Sequence, residues 1–242
     1  MARSFCFNVL CLRIKPSGES NREAWFLSAE EGIIKATIFG GPKSRLRSAA
    51  PFCQGKLWIY RDPVRDSSKV TDFDVQSWRP GLREQYDRTM AANCISETVL
   101  ATHAGGGSWD AALKLAGSAL DCLENADEKY CQRILHHFFW NWTGFLGVKP
   151  DLCCCACEAS GDTVLWFNPK EGNLFCGECR SGSGNDITVG PGARRWLLAV
   201  ENLDPENALR YSLDNVSFLQ VKAFVLSILA GSLGKRLSLW DY

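Results

Sequence analysis

Two cysteine pairs, Cys154-x-x-Cys157 and Cys176-Gly-Glu-Cys179, stand eighteen residues apart and carry the most specific chemical signal in the chain. Two thiolates separated by two residues can be presented to one cation by a single tight turn. Two such turns close a tetrahedral four-cysteine site of the kind that holds zinc. Four thiolates leave no coordination position for water or a reactant, so Zn2+ held here is expected to brace structure. Cys153 and Cys155 crowd the first pair, and either could replace Cys154 with a shifted turn; Cys154 is preferred because it keeps the two-residue gap to Cys157. Free thiols, an iron–sulfur cluster or a redox dithiol compete for the same residues. The other six cysteines (Cys6, Cys11, Cys53, Cys94, Cys122 and Cys131) lie among apolar neighbours, as buried thiols do. A disulfide scaffold would be smaller and would scatter its cysteines through loops, which points to a reducing compartment.

Other reactive constellations fail. Gly41-Pro42-Lys43-Ser44 puts Pro42 where a phosphate-binding loop needs glycine before its lysine. Of the three histidines, His136 and His137 sit beside Phe138, Phe139 and Trp140 and read as packed side chains. With neither a serine elbow nor a carboxylate pair, an enzyme has no residues to stand on.

The elements that must position these groups change character near residue 80. Before it, Phe5 to Ile14, Ala24 to Leu27, Ile33 to Phe39, Leu57 to Tyr60 and Val70 to Val75 read as short strands, with turns at Lys15–Gly18 and Glu31-Gly32. Five such strands with irregular connections predict a small Greek-key barrel. After it, Leu82 to Ala104, Trp109 to Asn125 and Glu128 to Leu146 carry helical periodicity, with Asp127 as a cap for the third. Helices at Gly192 to Asn202 and Val216 to Gly231, and a short one opening at Asp204-Pro205-Glu206, close the chain. Arg3 and the run Phe5 to Leu12 faintly resemble a signal peptide, but Asn8, Arg13 and the missing cleavage site favour a strand. Val216 to Leu233 is apolar yet carries Gln220 and Lys222, and reads as a buried helix rather than a membrane span.

The formal net charge of the 242 residues is +0, which removes any global charge argument for a polyanionic partner. The charge is nevertheless uneven: residues 1–80 hold thirteen basic against eight acidic side chains, and the remainder fourteen against nineteen. Arg22, Lys35, Lys43, Arg45 and Arg47 fall at or beside the turns of the barrel, where guanidinium and ammonium groups can meet phosphate oxygens. Trp25, Phe39 and Trp58 could stack bases, but alternating strands bury half of their side chains, and all three are assigned to the core.

Several ordered segments carry a family likeness. They are Gly18-Glu19-Ser20-Asn21-Arg22, Ser28-Ala29-Glu30-Glu31-Gly32-Ile33-Ile34, Gly40-Gly41-Pro42-Lys43-Ser44-Arg45 and Pro51-Phe52. Gly147-x-x-Pro150-x-Leu152 then leads into the cysteines, and Gly172 precedes Cys176. In this order and spacing the chain resembles the bacterial RecO family. It departs from the family in a first cysteine pair one residue closer to Leu152 and in a glycine pair reduced to Gly172-Asn173.

The resemblance implies an α+β fold: an N-terminal OB-fold β-barrel (1–79) followed by an all-α domain (80–146 and 182–242) with an inserted four-cysteine zinc-binding module (147–181). It implies binding of single- and double-stranded DNA, annealing of complementary strands, and help in loading RecA onto strands coated by single-strand-binding protein. RecR and other RecF-pathway proteins are the implied partners, in a cytoplasmic, nucleoid-associated setting with no membrane. The C-terminal tail of single-strand-binding protein is a further candidate partner: the aromatic helix near Trp140 and Trp142 could dock it, although core packing is the stronger reading of those rings. The competing reading is a zinc-ribbon scaffold protein without direct DNA binding.

Overall fold

The computed structural model describes residues 3–40, 49–182 and 184–241, and the chain divides into two compact units, Met1–Asn125 and Ala126–Tyr242.

In the first unit, β1 (Ser4–Ser17), β2 (Asn21–Ser28), β3 (Gly32–Ile38), β4 (Gln54–Asp62) and β5 (Ser67–Ser77) form a closed barrel of order β1-β2-β3-β5-β4. Period-two alternation fills it: Phe7, Val9, Cys11, Ala24, Phe26, Ile34, Ala36, Ile38, Leu57, Ile59 and Val70 make one interior cluster. Closure depends on β1, whose first half pairs with β4 from Ser4 to Leu10 while its second half pairs with β2 from Val9 to Ser17. The β1–β2 register slips between Cys11 and Arg13, a bulge that bends the strand between its two partners. Gly55 sits at another slip, opposite β5, where a Cβ would come within 2.0 Å of the Asp74 carbonyl oxygen; only glycine fits. The first turn differs from expectation. Lys15 to Ser17 continue the strand, paired with Glu23 to Asn21, and the chain reverses at Gly18 with φ +68°.

One side of the barrel is covered. Leu10 and Leu12 are buried yet lie outside the interior cluster, and α1 (Tyr86–Ala101) and α2 (Trp109–Glu124) pack against β1, with α2 also on β2. The expected helix from Leu82 is split into a 3-10 turn at Pro80–Arg83 and α1, because Gln85 takes an extended conformation (φ −131°, ψ 137°) between them. Buried Arg79 donates to Asp121 Oδ1 (2.6 Å), the Phe52 carbonyl (2.7 Å) and Gln54 Oε1 (2.8 Å), tying α2 to the barrel.

The second unit is built on α3 (Glu128–Phe145), α4 (Pro191–Val200), the short α5 (Pro205–Ala208) and α6 (Asn215–Leu233), with a sheet of β6 (Leu165–Asn168), β7 (Asn173–Cys176) and β8 (Ile187–Val189) in the order β7-β6-β8. Asp127 occupies the N-cap of α3 without a side-chain hydrogen bond, whereas Asp204 and Asp214 cap α5 and α6 by accepting from Asn207 N and Ser217 N. α6 is long and apolar enough to cross a membrane by length and composition alone. It packs on α3, α4 and β8 through Phe224, Val225 and Leu229, while Val216 and Leu219 remain exposed, so it is not buried on all sides.

Candidate metal centre and nucleic-acid interface

The two cysteine pairs converge. Each occupies a tight turn: the Glu158 amide donates to the Cys154 carbonyl (2.8 Å), and the Cys179 and Arg180 amides donate to that of Cys176 (3.2 and 3.0 Å). The β6–β7 hairpin places the second turn at its end, its own reversal held by Asn168 Oδ1, which accepts from the Lys170 and Glu171 amides. The Sγ atoms of Cys154, Cys157, Cys176 and Cys179 all lie within 4.8 Å of one another, with Cys157 and Cys176 at 3.6 Å. Zn–S bonds of about 2.3 Å in a tetrahedron set sulfurs about 3.8 Å apart, so the donor set fits zinc in number, type and spacing. Cys153 and Cys155 are outside this group.

The electrostatics of Cys154 and Cys179 agree with a cation site. Burial resists ionisation of Cys154, yet hydrogen bonds from the backbone at Cys176, Cys157 and Ala156 outweigh it and bring the thiol down to about 6. Hydrogen bonds with Cys176 and Cys157 push Cys179 up to about 12. Thiols this close cannot all carry charge without a cation among them.

The module is held by a residue that the sequence disguised. Arg194 reads as half of a solvated Arg194-Arg195 pair, but it is 3% exposed and donates to the carbonyls of Leu152 (3.3 Å), Gly161 (2.6 Å) and Thr163. Three acceptors on the segment around the first cysteine turn thus share one guanidinium on α4. Arg180 on the second turn pairs with Asp186 at 3.3 Å and lies 4.9 Å from the Trp166 ring centre.

The predicted basic residues are less uniform. Arg22 opens β2 and donates to the Ala49 carbonyl at 3.1 Å. Lys35 lies mid-β3, 2.9 Å from Glu23 and 5.3 Å from the centre of the Trp25 ring. Lys43, Arg45 and Arg47 lie outside the described residues.

Register reveals companions that the sequence reading missed. Arg13 pairs with Trp25, Trp25 with Lys35, Lys15 with Glu23, and Thr37 with Lys69. Each neighbours a core residue along its strand, so these side chains share the outer face. Lys15 Nζ lies 6.0 Å from the Trp25 ring, and Lys69 Nζ 5.4 Å from that of Phe39, which is 49% exposed. The result is a strip across four strands in which Arg13, Lys15, Lys35 and Lys69 surround Trp25 and Phe39, with Glu23 beside Lys35. Assigning Trp25, Phe39 and Trp58 to the core is corrected: Trp25 and Trp58 are half-buried between interior neighbours, and Phe39 is exposed. Only the alternation phase, set by the bulge after Cys11, could have shown this.

On α3 the core-packing reading of the aromatic rings holds, and the docking one does not. Trp140 and Trp142 are fully buried; Trp140 Nε1 donates to the Leu197 carbonyl (3.1 Å), and Trp142 stacks between Phe138 and Phe145 at 5.2 and 5.6 Å. His136 and His137 are packed in the same core, as expected.

Comparison with known proteins places these features in one lineage. Residues 83–240, well over half of the chain, match the family model described as Recombination protein O C terminal. DNA repair protein RecO of Desulfitobacterium hafniense is 26% identical over 215 residues, covering 85% of this chain and 77% of that protein. The RecO of Maridesulfovibrio salexigens is 27% identical over 208 residues, covering 81% of each chain, and that of Gloeobacter violaceus is 26% identical over 206 residues, covering 80% and 76%. A barrel, a helical remainder with a cluster of four cysteines, and a family match over residues 83–240 identify the chain as a member of the RecO family of DNA repair proteins.

Proposed function

We propose that this chain is a recombination mediator that binds single- and double-stranded DNA on its barrel, anneals complementary strands and assists RecA loading in RecF-pathway repair. The observation that carries this reading is the outward strip of Arg13, Lys15, Lys35 and Lys69 around two aromatic rings. On a chain of net charge +0, four cations brought together on one face form a local anion-binding surface. Lys and Arg that neutralise phosphates release condensed counterions, which yields affinity independent of sequence and steeply dependent on salt. The face of strands 2 and 3 and the adjoining loops is where OB-type barrels bind oligonucleotides. Arg22, Lys43, Arg45 and Arg47 are proposed as further DNA contacts on the strength of the sequence alone.

The mediator is not an enzyme in this reading. Cys154, Cys157, Cys176 and Cys179 would hold one Zn2+ whose role is structural, since a closed thiolate set offers no open ligand position. We further propose a finer organisation of barrel (1–79), helical segments (80–146 and 182–242) and zinc module (147–181), acting in the cytoplasm at the nucleoid. RecR, RecF-pathway proteins and the C-terminal tail of single-strand-binding protein are the proposed partners, the last at a site other than buried Trp140 and Trp142. Annealing of complementary oligonucleotides, bare and coated with single-strand-binding protein, at low and moderate salt, tests the proposal. Acceleration in both cases that fades as salt rises is expected; a chain that accelerates neither is a scaffold without DNA activity.

A further inference from the structure

We infer that Phe39 is a base-stacking platform that gives the barrel its preference for single strands, an inference that rests on the DNA-binding reading above. Phe39 follows directly on β3 and keeps 49% of its surface exposed, unlike the phenyl groups of Phe7 and Phe26 inside the barrel. Its ring is 5.4 Å from Lys69 Nζ, and Lys69 is paired through Thr37 with the strand that carries Lys35. An aromatic plane therefore lies within a cationic strip, which is the combination that holds single strands: charge tracks the backbone while bases stack on rings. Trp25 shares the face but is half-buried, with Lys15 and Lys35 Nζ 6.0 and 5.3 Å from its ring.

The two strand forms respond differently to such a ring. In a duplex the bases already stack on each other, and reaching one costs a few kcal/mol of unstacking. In a single strand the π-faces are available, and one base–aromatic stack contributes about 1–3 kcal/mol. Stacking on Phe39 therefore adds to single-strand affinity alone. It also engages a base through its face and leaves the Watson–Crick edge open, so a strand held this way can still pair with its complement.

The test uses the full chain and fluorescence anisotropy with three probes: an oligodeoxythymidylate, an abasic strand of equal length and charge, and a blunt duplex. Wild type is expected to bind the thymidylate more tightly than the abasic strand. Phe39→Ala and Phe39→Leu should each weaken thymidylate binding by about tenfold, with abasic and duplex binding and the salt slope unchanged, while Phe39→Trp restores it. Thermal melts confirm that each variant is folded. Full thymidylate affinity in Phe39→Ala, or an equal loss on all three probes, overturns the stacking role while leaving the DNA-binding reading in place. Wild-type protein that binds no probe overturns both.

Discussion

The cysteine module and the outer face of the barrel direct their polar groups in opposite ways. In the module, four thiol sulfurs point at one another and the Arg194 guanidinium turns inward onto three carbonyls. On the barrel, an apolar cluster fills the interior, and Lys15 and Lys35 are exposed on the strands. A closed donor set lowers the free energy of one conformation and has nothing left to offer a reactant; an open one is available to a polyanion. Damage to the module should therefore be a stability event, and damage to the face a binding event on an intact fold.

The largest effect should follow Cys176→Ser. Loss of one thiolate is expected to remove bound zinc and to destabilise the second unit by on the order of several kcal/mol, read as zinc content and melting midpoint. Lost oligonucleotide binding at an unchanged midpoint would break the contrast. Arg194→Met comes next: it leaves the carbonyls of Leu152, Gly161 and Thr163 without their donor, at a cost of about 3–5 kcal/mol, measured as a shift in urea midpoint.

His136 makes the second unit acid-sensitive. Burial, against the edges of Phe139 and Phe218, lowers its pKa from 6.5 to about 4, even though Nδ1 donates to the Gln132 carbonyl at 2.6 Å. The unfolded chain takes up this proton first, so stability is complete above pH 6.5 and falls as pH drops toward 4, by up to about 3 kcal/mol. His136→Phe should flatten that segment of the stability–pH curve; an unchanged slope would place the acid sensitivity elsewhere. The smallest effect on stability should come from reversing Lys43, Arg45 and Arg47 together. Melting should stay put while the log–log salt slope of DNA binding drops by roughly 2–3 units.

How legible each region was follows from the range of the interactions that build it. Two thiols three positions apart declare themselves within one turn, and the strands and main helices show in their periodicity. The outer strip does not: which side of β1 faces out changes at the slip between Cys11 and Arg13, and only pairing brings Lys69 alongside Thr37. Arg79 and Arg194 look like surface charges because their acceptors are 25 to 42 residues away in sequence. Trp140 and Trp142 read as core more readily than as a docking face, and α4 and neighbouring rings enclose them.

The most direct measurement is a salt titration of oligonucleotide binding by wild type and by the triple variant Lys15→Glu, Lys35→Glu, Lys69→Glu, each verified as folded. The outward strip predicts much weaker binding and a slope shallower by roughly 2–3 units in the variant. Equal affinity and equal slope in the two proteins would contradict it and move the DNA contact off this face.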